Sequence, residues 1–188
     1  MRELALHFLD LLRNSVEAGA RIVELDVAEE TASGLLRFEL RDDGRGMDET
    51  TLARATDPFF TSRTTRRVGM GLALMRACCE RCGGELSVAS QPGQGTVVTG
   101  HLLVSHLDCP PLGDMGAVAQ SMACEADAVE FVYRHRVDRK VFSLDTRRIK
   151  AKLGMHTLGA AEVLSWIREH VNEELRRLHR GRRTASGG

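Results

Sequence analysis

The chain has 188 residues, 43% apolar and 28% charged, with a formal net charge of zero, the make-up of an ordinary globular protein with room for one domain and a small second one. Zero net charge argues against a surface that coats nucleic acid or membrane, and one Trp and one Tyr are too few rings to stack single-stranded bases. No apolar run approaches the roughly 18–20 residues of a membrane span, and the opening RELALHFLDLL lacks the pattern of a signal peptide, so the expectation is a cytoplasmic protein without nucleic-acid or membrane partners.

Residues 2–18 predict an amphipathic helix. Leu4, Phe8, Leu11, Leu12 and Val16 share one side, His7, Asp10, Asn14 and Glu17 repeat along the other, and Gly19 stops it. RIVELDVA (21–28) alternates as a strand, and LLRFELR (35–41) makes a second after a turn near Ser33-Gly34. DDGRGM (42–47) then places a carboxylate and two glycines at a strand end. DETTLARAT (48–56) reads as a short helix with Asp48 as its N-cap. DPFFTSRTTRRV (57–68) has no clean period, and a loop of about a dozen residues is often functional. GMGLALMRACCERCGG (69–84) reads as a helix. ELSVASQ (85–91) and TVVTGHLLV (96–104) form a hairpin around the turn PGQG.

The composition changes near residue 105. The expected organisation is a domain over 1–104, a Pro/Gly linker over 105–113, a small α+β unit over 114–179 and a disordered tail over 180–188. That unit reads as a helix at 115–126, a hairpin of 128–137 and 140–145 turning at Asp138-Arg139, and helices at 146–154 and 160–178. Trp166 is expected in the core. The cysteines, at 78, 79, 82, 109 and 124, are odd in number and read as reduced thiols. Cys79-x-x-Cys82 lacks a second pair or histidines at zinc-knuckle spacing and reads as small apolar residues packed on a helix.

Three glycine clusters, DDGRGM, VGMGLA and PGQGT, each alone read as turns. Their surroundings add chemistry. Gly69-x-Gly71 stands directly before a helix, whose free N–H groups and partial positive charge suit phosphate. Arg63, Arg66 and Arg67 precede it. Asp42, at a strand end, can accept a hydrogen bond from an exocyclic amine such as adenine's, and Gly44 and Gly46 let a flat ring lie against the chain. The P-loop and the Rossmann glycine motif are both absent.

In order, LDLLRNSVEAGA (9–20), DDGRGM, DPFFTSR, VGMGLAL and GQGT resemble the N box, the glycine boxes and the F box of the GHKL superfamily of gyrase, Hsp90, histidine kinases and MutL. The resemblance covers about residues 3–104. It implies a two-layer α/β (α+β) sandwich, the Bergerat ATP-binding fold, here with a small αββα C-terminal extension, and ATP with Mg2+ as ligands. By position, Asn14 would help hold magnesium and Asp42 would bond the adenine amine. Gly44, Gly46 and Met47 would shape that pocket, and Thr96 would support it. Phe59 and Phe60 would anchor a lid, with Thr61, Ser62 and Arg63 approaching the terminal phosphates. Gly69, Met70, Gly71 and Leu72 would cradle them. Asp10, one turn before Asn14, stands where relatives carry a catalytic acid. It is a weak base, a magnesium orienter, or a solvated surface acid, while His7 reads as a polar residue of the helix face.

No phosphoacceptor hairpin is read ahead of the N box, so self-phosphorylation is not expected. SHLDCPPLGD and FVYRHRVDRKVFSLDTRRIK are similar to stand-alone histidine-kinase-like ATPases encoded beside bacterial iron-only hydrogenases. Three activities stay open: transfer of the γ-phosphoryl to a partner protein in trans, slow ATP hydrolysis that moves a partner, and nucleotide sensing with residues 105–179 docked on a partner such as a redox enzyme. The oligomeric state stays open, a homodimer included.

Overall fold

Burial with a period of two marks the strands. In β1 (Ile22–Glu30), Val23, Leu25 and Val27 are buried and their neighbours are half exposed. The same alternation buries Leu36, Phe38, Leu40 and Asp42 in β2 (Leu35–Asp42), as expected where one sheet face meets a core and the other meets water. In the computed structural model, which describes residues 3–55 and 70–180, these strands join β3 (Glu85–Ser90), β4 (Thr96–Leu103), β5 (Glu130–Val137) and β6 (Lys140–Asp145). They form a six-stranded sheet ordered β3-β4-β2-β1-β5-β6. All neighbours are antiparallel except β1 and β5.

Helices α1 (Leu4–Glu17), α3 (Met70–Arg81), α4 (Met115–Cys124) and α6 (Ala161–His179) pack on the sheet. The short α2 (Glu49–Ala55) borders α3, and α5 (Thr146–Leu153) follows β6. Apolar residues of α1 meet those of β1 and β2, with Phe8 edge-on to Phe38 at 5.2 Å. The open face is polar: Arg134 on β5 pairs with Asp26 on β1 at 2.8 Å, and Arg41 with Glu39 on β2 at 2.8 Å. The result is the expected two-layer α/β sandwich. No helix among the described residues is long and apolar enough to cross a membrane.

The C-terminal extension shares this sheet. β5 lies parallel beside β1 from Ile22↔Glu130 to Glu29↔Val137, covering an edge of β1 that would otherwise present unpaired N–H and C=O groups. Residues 111–112, within the proline-containing stretch expected as a linker, close the start of α1. Leu4 N–H donates to the Pro111 carbonyl at 2.9 Å and Ala5 N–H to that of Leu112 at 2.8 Å, where the Glu3 side chain makes no cap.

Two side chains differ from expectation. His7 is 2% exposed, because α3 covers the polar side of α1. Trp166 is 49% exposed and stacks on His170, one turn away, at 4.8 Å on the outside of α6. The tight cysteines behave as packing residues: Cys78, Cys79 and Cys82 are buried, and burial pushes the Cys79 thiol up to about 12, far from a reactive thiolate.

Candidate functional site

The first glycine turn follows β2 because Asp42 ends the strand with its side chain facing the helices. Asp42 is 7% exposed and accepts three hydrogen bonds from the protein. Its Oδ2 accepts the Ser15 hydroxyl at 2.7 Å, and its Oδ1 accepts the N–H of Gly44 at 2.9 Å and of Thr96 at 3.2 Å. Antiparallel register sets Asp42 opposite Thr96 on β4. A carboxylate offers about four lone-pair positions, so one stays open, on Oδ2, for an outside donor. Asp43 turns the other way: its Oδ1 accepts the N–H groups of Arg21 and Ile22 at 2.7 and 2.9 Å and holds the start of β1.

The turns at 42–47 and 91–95 are pressed together, which only glycine allows. At Gly46 (φ +66) a Cβ would sit 1.9 Å from the Gln91 carbonyl oxygen, and at Gly95 (φ +80) it would sit 1.9 Å from that of Asp42. Ser90 ties the same corner: its hydroxyl accepts Met47 N–H at 2.9 Å, donates to the Gly95 carbonyl at 2.8 Å and lies 3.0 Å from the Thr96 hydroxyl. Beyond it Asp48 caps α2, accepting Thr51 N–H at 2.7 Å.

The opposite wall is the crossing of α1 and α3. A Cβ on Gly71 would lie 3.2 Å from Asn14 Nδ2 and 3.3 Å from Asp10 Cβ. The four-residue spacing of Asp10 and Asn14 thus faces both toward the first turn of α3. Between these walls is a cavity of about 500 Å³, within the usual range for a small-molecule site. Asn14, Asp42, Gly46, Met47, Leu72 and Thr96 line it, over a floor of Leu11, Leu40 and Val98, with Arg45 and Arg54 at its sides. Gly44 and Gly71 shape the adjoining backbone. Asp10 does not line the cavity among the described residues. Phe59, Phe60, Thr61, Ser62, Arg63 and Gly69 lie outside the described residues, as do the side chain of Met70 and the tail from residue 181. An apolar slot with a fixed carboxylate at one end and a helix start at the other suits a flat ring bearing an amine, joined to an anion.

Sequence reasoning missed Ser15 and Ser90, which hold this arrangement. Ser15 reads as one more helical residue beside Asn14. Ser90 carries a signal only through its hairpin pairing with Thr96.

The family described as histidine kinase-, DNA gyrase B-, and HSP90-like ATPase matches residues 2–106. Among curated proteins, the sensor protein kinase FleS of Pseudomonas aeruginosa is 38% identical over 104 residues, 55% of this chain and 25% of its own. The tetrathionate sensor histidine kinase TtrS of Salmonella typhimurium is 38% identical over 102 residues, 50% of this chain and 16% of its own. The non-motile and phage-resistance protein of Caulobacter vibrioides is 34% identical over 109 residues, 53% of this chain and 13% of its own. The chain therefore spans a quarter or less of these relatives. Among solved structures, the N-terminal domain of a DNA repair protein aligns with a TM-score of 0.54 at 16% identity, over 77% of this chain and 53% of that one, a likeness of fold alone.

Proposed function

Because the chain belongs to the family of histidine kinase-, DNA gyrase B- and HSP90-like ATPases, we infer that its cavity binds Mg-ATP and that the chain passes the γ-phosphoryl group to a partner protein. The carrying observation is Asp42, a buried carboxylate with three protein hydrogen bonds and one lone pair left over, facing an apolar slot. Adenine offers an amine to that lone pair. Guanine offers a carbonyl oxygen at the corresponding edge, which a carboxylate repels. The triphosphate then runs toward the start of α3, between Asn14 and Arg54.

Asn14 fits magnesium: its side-chain amide carries a hard oxygen donor, and Mg2+ typically takes one or two protein oxygens with the phosphates completing its shell. Magnesium held there would offset the charge of the phosphates. Gly71 leaves Asn14 its room against α3. Phe60, Thr61 and Arg63 join the proposal by their place in the sequence as lid residues, and Gly69 and Met70 as part of the phosphate cradle. In the transfer step an acceptor oxygen or imidazole nitrogen on the partner attacks the γ-phosphorus, the bond to the β–γ bridging oxygen breaks, and ADP leaves. The acceptor's proton passes to a base, a role open to the Asp10 carboxylate on α1, facing α3.

The place of Asp10 favours a second reading, tight nucleotide binding with slow turnover, because it faces α3 without lining the cavity. Calorimetry tests the shared premise. ATP is expected to bind at least about tenfold more tightly than GTP, and Asp42→Asn to weaken ATP by about 10–100-fold, the worth of a charge-assisted hydrogen bond of about 1.5–3 kcal/mol. Asn14→Ala is expected to abolish the gain in affinity from magnesium. Equal binding of ATP and GTP would refute the assignment. Label transfer from γ-labelled ATP to a second protein supports transfer in trans, and binding with neither transfer nor phosphate release supports the second reading.

A further inference from the structure

At the far end of the molecule from α2, three side chains from three elements converge. Glu29 stands at the end of β1, His135 on β5 and His179 at the last residue of α6. His135 Nε2 lies 2.8 Å and His179 Nε2 3.0 Å from the same carboxylate oxygen, Glu29 Oε1. One ligand atom from each falls within 4.8 Å of the others. Parallel pairing creates the convergence, setting His135 opposite Val27 so that it and Glu29 point to the same, helix-bearing face.

The second nitrogen of each ring is already engaged. His135 Nδ1 meets the Tyr133 hydroxyl at 2.6 Å, and His179 Nδ1 meets the Leu175 carbonyl at 2.7 Å. A carbonyl only accepts, so His179 Nδ1 carries the hydrogen. In the neutral ring Nε2 then turns a lone pair toward a carboxylate oxygen 3.0 Å away. A proton or a metal ion on Nε2 would each suit that contact. This is the arrangement of metal-binding histidines, whose outer nitrogens are fixed by a carbonyl or hydroxyl while the inner ones converge.

We propose that Glu29, His135 and His179 form a binding site for a divalent transition metal, zinc above all. Two imidazole nitrogens and one carboxylate oxygen are a zinc donor set. Bonds of about 2.0–2.1 Å in a tetrahedron place ligand atoms about 3.3 Å apart, so on binding the Glu29 carboxylate oxygen draws back by a few tenths of an ångström from both imidazoles, now at 2.8 and 3.0 Å. The fourth position and the entry route come from a groove of about 860 Å³ lined by Glu29 and His179, where water completes the shell. The bound ion ties the end of α6 to β1 and β5. Lys140 on β6 already holds that end, donating to the carbonyls of Leu178 at 3.2 Å and Arg180 at 2.7 Å. The site is independent of the nucleotide cavity.

The full chain, stripped with chelator and freed of it, is titrated with zinc against a chromophoric chelator. One zinc per chain is expected, with a rise in melting temperature as the ion favours the folded state. His179→Ala is expected to weaken zinc at least about 100-fold while leaving the far-UV circular dichroism unchanged, since this residue is partly exposed at a helix end. His179→Cys is expected to restore binding, and with cobalt in place of zinc to add a thiolate charge-transfer band absent from the parent. Failure to bind zinc, zinc binding undiminished in His179→Ala, or a thiolate band in the parent cobalt protein would overturn the proposal. So would a melting temperature indifferent to zinc and chelator alike, which would leave the three groups as a proton-linked cluster.

Discussion

His7 shows what one buried side chain does to the pH response. Neither of its ring nitrogens has a hydrogen-bond partner among the described residues. Burial, and then neighbouring positive charge that includes Arg81, lowers its pKa from 6.5 to about 4. Above pH 6.5 the ring is neutral in both folded and unfolded chains, and stability is complete. Below it the unfolded chain takes the proton first, so stability falls as pH drops toward 4. At about 1.4 kcal/mol per pH unit the loss reaches roughly 3 kcal/mol. His7→Leu should flatten this slope in urea unfolding between pH 7.5 and 4.5 and be no less stable at neutral pH, since two unpartnered polar atoms go. An unchanged slope would assign the acid sensitivity elsewhere. At this scale the sequence reveals residues whose chemistry is unusual for their place: Asp42 beside two glycines, Asn14 one turn after Asp10. It does not reveal Ser15, which pins Asp42 from another element. Nor does it tell His7 apart from Asn14, because a polar stripe looks the same whether a neighbouring helix buries it or a cavity opens beside it.

Among the elements, the contact of α4 with α6 is the tightest constraint outside the sheet. Asp114 caps α4 by accepting Ala117 N–H at 2.8 Å, and it also receives Arg168 at 2.7 Å and Asn172 at 2.7 Å from α6. Two residues along, a Cβ on Gly116 would lie 2.3 Å from the Arg168 carbonyl oxygen. Gly116→Val should push the helices apart and destabilise by about 2–3 kcal/mol, a fall in Tm of about 5–10 °C for a chain of this size, with ATP affinity retained. Calorimetric melting and titration of the same sample check both halves. Element positions were largely legible because turns announce themselves in composition: PGQG between β3 and β4, and Asp138 with φ +52 between β5 and β6. Pairing was not, since nothing local in EFVYRHRV says that it will lie parallel to β1 rather than form a sheet of its own.

For the whole molecule, that pairing makes the N-terminal half depend on the C-terminal half. A chain ended after Gly113 keeps the carbonyls that cap α1 but bares the edge of β1 along Ile22–Glu29. Such an edge pairs with other chains. The truncated chain should self-associate in size-exclusion chromatography with light scattering, while the full chain should show less. A monomeric fragment melting at the parent temperature would mean that β5 adds nothing to β1. The same pairing sets a timetable during synthesis. Asp26 and Arg134, which bridge the two strands, are 108 residues apart. A ribosome adding about 5–20 residues per second leaves β1 outside the exit tunnel for roughly 5–20 s before its partner strand emerges. Throughout that interval the nascent chain offers one bare strand edge, and whatever shields it, a chaperone or a bound nucleotide that steadies α1, decides how much of the protein reaches its native state.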